Sequence, residues 1–416
     1  MSASKVDENW NRRYYNGVGT GRTTRCCSAV ALIAISALMI GQMTAAQTTR
    51  KSAQTPVSLF PVRTVWTLAL NNPLTAPPVY SGSHAYFAIE GNRLVAYVLE
   101  SGRQEWIASI EARLEPAVGD GLIFIAQPAS LTALRLNDGS VAWQLPDVGQ
   151  LAVPPVWDNG WLVLATQLGE VLALRAVDGH LVWRRDLVSP AHAAPSLAAD
   201  RVYVPLDDSR IVALQVDTGD VAWERRLGGP ATGVLAQDDR VFAGSNDNYF
   251  YAVRSDDGRV AWRWRTGADV VGVPVVDERN VYFVSLDNAL RALSRKTGVQ
   301  QWVRLLPIRP TRGPLRVDRT LVVSGIAPAL RAYNMKDGTA AGELPAAGEQ
   351  AGAPYAVPGA SSALPQVLVV TRDLAKGATA TLFMRNLDPP LGGITVPTYG
   401  IKAPLVDGIA TAAPQS

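Results

Sequence analysis

Four stretches of the chain fall on one frame: LTALRLNDGSVAWQL at 131–145, LALRAVDGHLVWRR at 172–185, VALQVDTGDVAWER at 212–225 and YAVRSDDGRVAWRW at 251–264. In each, an apolar run meets Asp-Gly or Thr-Gly and a second apolar run follows. That is the chemistry of a tight β-hairpin, because glycine supplies the positive φ the turn requires. The first stretch predicts strands over Leu131–Leu136 and Val141–Leu145 about a turn at Asp138-Gly139.

The frame extends along the chain. Trp66, Trp106, Trp143, Trp183, Trp223, Trp262 and Trp302 are separated by 40, 37, 40, 40, 39 and 40 residues. Gly102, Gly139, Gly179, Gly219, Gly258 and Gly298 each stand four residues before one of the last six, and Ala96, Ala133, Ala173, Ala213, Ala252 and Ala292 stand ten before. A short apolar run precedes each hairpin, as in LIFIAQ at 122–127 and WLVLAT at 161–166, and a Pro-led element such as PPVW at 154–157 or VPVV at 273–276 precedes several of these. Four short strands in a period of this length make one blade of a β-propeller. The tryptophans and glycines are read as structural: alanine lets sheets approach, and the indole covers the next blade with a large apolar surface.

The two ends are imperfect. A seventh unit has Ala332 and Gly338, but Gly342 stands where tryptophan is expected. PQVLVVTRDL at 365–374 and ATLFMRNLDPPLGG at 380–393 supply two further strands, while Trp66 in VRTVWTLAL at 62–70 has no Ala-Gly half before it. The two incomplete ends fit each other, so the first body strand is expected to close the ring and remove its exposed edges. The expectation is an all-β, eight-bladed propeller of four-stranded antiparallel blades, with seven blades as the alternative. It divides the chain into a leader at 1–46, a linker at 47–60, the propeller at 61–395 and a tail at 396–416.

Charge and cysteine narrow the function. The chain holds 39 Lys and Arg against 36 Asp and Glu, and the first 46 residues account for the whole difference. A neutral body without a basic block lacks the footprint of a nucleic-acid binder, whose affinity comes largely from phosphate neutralisation. Cys26 and Cys27 both lie in the leader, so the body has no cysteine for a disulfide or a thiolate metal site. Ala29 to Ile40 is apolar and follows Arg12, Arg13, Arg22 and Arg25. It is shorter than the ~20 residues a spanning helix needs. The layout reads as a signal peptide with small residues Thr44-Ala45-Ala46 before Gln47, an uncleaved anchor being the alternative. Either reading exports the body, which in a bacterial envelope means the periplasm or the periplasmic face of a membrane. Membrane contact is then limited to the N-terminal segment, if that segment is uncleaved.

The Ala-x5-Gly-x3-Trp spacing resembles the tryptophan-docking repeat of the quinoprotein (PQQ-like) propeller superfamily, over roughly Pro61 to Gly393. That superfamily includes PQQ-dependent alcohol and glucose dehydrogenases, ligand-sensing domains and the outer-membrane assembly factor BamB. Size and export make the chain most similar to BamB, which implies a non-catalytic scaffold for protein partners, including the outer-membrane β-barrel assembly machinery. The dehydrogenases are longer and carry a vicinal cysteine pair near the cofactor that this body cannot supply, so neither PQQ nor calcium is expected. BamB proteins carry a lipobox cysteine that is absent here. They dock their partner through a Leu-Arg-bearing inter-blade loop, and the corresponding connection, DLVSPAHAAP at 186–195, has no such motif.

General acid–base chemistry needs titratable groups converging in a pocket. His84, His180 and His192 fall at non-equivalent points of the repeat, and no nucleophile-elbow, zinc-helix or phosphate-loop motif occurs. No catalytic residue is assigned. Two groups are candidates for partner binding. Asp207, Asp208, Asp247 and Asp287, with Asn246, Asn248 and Asn288, lie at hairpin tips of blades four to six, where tight turns also select Asp and Asn. Arg304, Arg309, Arg312, Arg316 and Arg319 crowd WVRLLPIRPTRGPLRVDRT at 302–320, and arginine grips carboxylates bidentately and is enriched at interfaces.

Overall fold

The computed structural model describes residues 58–128, 130–346, 348–358, 364–373, 377–387, 400–402 and 411–413. The expected leader at 1–46, the linker up to residue 57 and most of the tail lie outside the described residues. Eight sheets form an eight-bladed β-propeller without helices among the described residues, which excludes the seven-bladed alternative. Blades one to seven span 79–109, 117–146, 156–186, 196–226, 231–265, 270–305 and 315–345, each a four-stranded antiparallel meander.

Blade three shows the pattern. Val156–Asp158 is followed by Trp161–Ala165, Glu170–Arg175 and His180–Asp186. The two middle strands are buried almost throughout, while the fourth alternates and exposes every second residue or more. First strands of neighbouring blades touch one another, so they surround the central axis and the fourth strands form the rim. A meander of this order places the inter-blade connections and the tips between second and third strands on one face, here the connection face. Turns between first and second and between third and fourth strands lie on the other, the turn face.

The recurring spacing has a direct physical meaning. Ala133, Ala173 and Ala213 sit directly opposite Trp143, Trp183 and Trp223 across the hairpin, and the register shifts immediately after each alanine. This β-bulge absorbs one residue of the fourth strand, which makes the Ala-to-Trp interval a register rather than a coincidence. Each indole then docks on the turn glycine of the next blade. A Cβ added at Gly139, Gly179, Gly219, Gly258, Gly298 or Gly338 would lie 2.6–2.7 Å from the preceding blade's tryptophan ring. Each of these glycines also has φ between 69° and 73°, so backbone and packing both exclude a side chain. The indole N–H donates to the carbonyl three residues before that glycine: Trp106 to Leu136 at 2.8 Å, Trp183 to Val216 at 2.7 Å and Trp302 to Met335 at 3.1 Å.

The ring closes with both ends of the chain. Val62–Ala69 pairs antiparallel with Gly377–Arg385, which pairs with Gln366–Asp373 and through it with Tyr355–Val357. Trp66 reaches forward like its counterparts and donates to Leu99 O at 2.8 Å. At the junction between blade seven and this closing blade, Gly342 faces Ala332 and the Phe60 ring lies over it, in the place of the missing tryptophan. From the region expected as a tail, Gly400–Lys402 adds parallel to the outer side of Val62–Ala69, and Thr411–Ala413 pairs with it.

Candidate functional site: the connection face

The acidic tips of blades four to six all reach this face, where internal bonds occupy them. Asp207 Oδ1 meets His192 Nδ1 at 2.6 Å, joining the tip of blade four to the connection before it. Asp208 accepts from Arg210 Nε at 2.7 Å, and Arg210 also binds Glu224 at 3.0 Å. Asp247 accepts from Gly228 N at 3.0 Å and from the Tyr251 hydroxyl at 2.5 Å. Asp287 repeats the brace one blade later, accepting from Gly267 N at 2.9 Å, from Ser285 Oγ at 2.5 Å and from Arg291. Burial alone pushes the Asp287 carboxyl up, but the donors from Arg291, Ser285 and Gly267 outweigh it and hold the pKa at about 2. The carboxylates of Asp207, Asp247 and Asp287 are tie-points between connection and tip, and that of Asp208 braces its own tip.

The arginines of 302–320 do not form one cluster. Arg304 Nε donates to Gly338 O at 2.8 Å and a terminal nitrogen to Asp337 O at 2.7 Å, capping the next blade's turn as Arg185 and Arg225 cap Gly219 and Gly258. All three stand two residues after a docking tryptophan, so this position braces the frame. Arg309, exposed, and Arg312, half-buried, lie on the connection before blade seven. Arg316, within the strand Leu315–Val317, and Arg319, just after it, line a cleft on the turn face, because that strand carries the chain away from the connection face. Sequence proximity places the five together, and strand direction separates them.

Two apolar features of this face were not flagged by the repeat. Leu168, at the tip of blade three, is 81% exposed, and Val188, in the connection that follows, is 84% exposed. Their backbones pack together: Leu187 N donates to Gly169 O at 2.9 Å, and a Cβ at Gly169 would come within 2.9 Å of Ser189 N. Val188 has φ 69°, an uncommon and costly conformation for a β-branched residue, and Asp186 Oδ1 accepts its N–H at 2.7 Å. On the other side of the ring Ile326, 75% exposed, donates its N–H to Arg309 O at 3.0 Å. Isolated apolar residues inside tips and connections carry no period, so sequence patterning passes over them.

The mouth of the central channel opens on the same face. A cavity of about 560 Å³ is lined by Thr232, Asn246, Asp269, Leu286 and Arg312, among others. Beyond Arg312, the Tyr80 and Tyr355 rings stack at 4.4 Å. The Tyr80 hydroxyl has no hydrogen-bond partner among the described residues, and burial followed by the nearby Glu115 carboxylate pushes its pKa well above the usual tyrosine range. Burial raises Glu115 as well, opposed by Arg312. Along the same cavity the inner strands of blades five and six and the segment leading into blade seven run backbone against backbone at Gly233, Gly272 and Gly313, where a Cβ would collide with the neighbouring main chain.

Comparison with known proteins agrees with this geometry. The sequence matches the family described as outer membrane protein assembly factor BamB in three overlapping stretches, 62–153, 128–238 and 227–367. No curated protein matches the chain. Among solved structures, BamB from Moraxella catarrhalis superposes with a TM-score of 0.63 at 18% identity, covering 78% of this chain and 100% of that one. Quinohemoprotein alcohol dehydrogenase from Comamonas testosteroni superposes with a TM-score of 0.62 at 13% identity, covering 80% and 78%. Sqt1 from Saccharomyces cerevisiae reaches 0.66 at 10% identity, covering 78% and 99%. At these identities the structural likeness speaks for the fold alone.

Proposed function

We propose that this chain, which belongs to the outer membrane protein assembly factor BamB family, is a non-catalytic scaffold exported to the periplasm, where it docks the outer-membrane β-barrel assembly machinery through its connection face. The observation that carries this reading is the exposed pair Leu168 and Val188, held on a rigid frame by the Gly169 contact and the Asp186 bond. Apolar side chains presented in a fixed conformation lose little entropy on binding, which is what an anchor at an interface requires. Ile326 and Arg309 offer a second, mixed contact across the ring.

A quinone-dependent enzyme is the rival, since dehydrogenases share the fold. The residues present do not fit that cofactor. Among the described residues no three of His, Cys, Asp and Glu are placed to hold a metal ion, and both cysteines precede the body. Tyr80 and Tyr355 stack on each other, so a flat cofactor finds no gap between them. We propose that no PQQ or calcium is bound. Co-purification from native envelopes tests the scaffold: components of the assembly machinery are expected with the wild-type chain and not with a Leu168→Asp, Val188→Asp variant. Stoichiometric PQQ uptake with reduction of an electron acceptor by an alcohol or sugar would replace the scaffold reading with the enzyme.

A further inference from the structure

The turn face carries a cleft that the partner reading does not use. It lies between blades six and seven, has a volume of about 610 Å³, and is lined by Arg279, Arg316, Arg319 and Lys336 together with Asp277, Asp318 and Asp337. At four other turns of this face an arginine is neutralised locally. Arg175 pairs with Asp178 at 2.5 Å, Arg201 with Asp200 at 3.8 Å, Arg240 with Asp239 at 2.5 Å, and Arg254 with Asp256. In the cleft the pairing fails. Among the described residues the side chains of Arg279, Arg319 and Lys336 make no hydrogen bond or ion pair, and all three are exposed.

Two of the neighbouring carboxylates are held by their own turns. Asp277 Oδ1 accepts from Arg279 N at 2.8 Å and from Asn280 N at 2.7 Å, and its Oδ2 accepts from the Tyr282 hydroxyl at 2.8 Å. Asp337 Oδ1 accepts from Thr339 N at 3.0 Å and Oγ1 at 2.7 Å. Asp318 has a partner of its own, and its carbonyl accepts from Arg316 Nε at 3.0 Å. Three cations without an ion-pair partner, from three separate turns, therefore meet over one cleft whose lining, with Arg316, sets four cations against three carboxylates.

We infer that this cleft binds a phosphate-bearing ligand. A phosphate presents three terminal oxygens in tetrahedral array, matching cations that approach from three directions, whereas a planar carboxylate presents two and is satisfied by one guanidinium. The chemistry is shared by a soluble phosphate ester and a phospholipid headgroup, and it does not depend on the partner reading.

The full-length protein is titrated with inorganic phosphate and glycerol 3-phosphate by calorimetry. It is separately sedimented with vesicles of phosphatidylcholine alone or with phosphatidylglycerol added, the neutral vesicles giving the contribution of the apolar leader. Saturable phosphate binding in the ~mM range, weakened about tenfold in an Arg279→Gln, Arg319→Gln, Lys336→Gln variant, supports the site. Binding of the soluble esters alone assigns a soluble ligand. Added retention on phosphatidylglycerol vesicles, lost in the variant, assigns a headgroup. No saturable binding in either arm overturns the inference, as does binding that the triple variant leaves unchanged. Should that variant fail to fold, Arg319→Gln alone is expected to weaken binding roughly threefold, and an unchanged affinity would count against the site.

Discussion

Replacing Trp183 with alanine removes one clamp of the ring. The indole is buried among Val202, Val212 and their neighbours, lies against Gly219 of the next blade and donates to Val216 O at 2.7 Å. Burying about 200 Å² of aromatic surface at ~25 cal/mol per Å² amounts to about 5 kcal/mol as an upper bound. Measured Trp→Ala losses of ~3–5 kcal/mol agree with it. The site cannot collapse to recover this, because Gly219 at φ 72° is fixed by its own turn bond to Gln215 O at 2.9 Å. Trp183→Phe keeps most of the apolar volume and strands only the Val216 carbonyl, for which ~1–2 kcal/mol is expected. Urea unfolding followed by far-UV circular dichroism reads both. A loss under about 1 kcal/mol for Trp183→Ala would mean that the indole does not hold the blades together, and the packing argument would fail.

Other perturbations follow from the same frame. Gly258→Ala meets both a φ of 70° and the Trp223 ring, whereas Gly121→Ala meets a φ of 74° with nothing within 4 Å. The first should cost at least ~1 kcal/mol more than the second in denaturant unfolding. Deleting residues 47–70 removes the strand Val62–Ala69 from the closing blade and bares Gly377–Arg385, so the melting temperature should fall sharply and light scattering should rise; an unchanged melting temperature would refute closure by that strand. Asp287 has a folded pKa near 2 against an ordinary value of 3.8. Its contribution, at most ~2 kcal/mol, is therefore present above pH ~4 and lost as the pH falls towards 2. Asp287→Asn should flatten that part of the acid-stability profile.

The propeller was legible because the same register recurs. An alanine opposite a tryptophan across a bulged hairpin forces a constant interval, and six repetitions make the interval visible. Closure was legible for a related reason, since Trp66 and Gly342 each lack what the other end supplies. The indoles were expected to cover the next blade, but the interval alone does not say which residue of that blade each one meets; the structure puts the turn glycine there. Nor could linear proximity sort the arginines: Arg304 caps the next blade's turn, and the course of one strand separates Arg309 and Arg312 from Arg316 and Arg319. The acids at the tips share one face, and Asp207, Asp247 and Asp287 each meet a partner on the preceding connection, as in Asp247 with Gly228; that distance in sequence hides the bond. Leu168 and Val188 stayed invisible because an exposed apolar residue and a core residue look alike in a string of letters.

The central claim, that the connection face docks the assembly machinery, is tested most directly by one affinity measurement. The purified protein and its Leu168→Asp, Val188→Asp variant are passed over the immobilised periplasmic part of that machinery from the same organism. Saturable binding by the wild-type chain, weakened at least about tenfold in the variant at unchanged melting temperature, is the predicted result. Equal affinity of the two proteins, or no binding by either, would contradict the account.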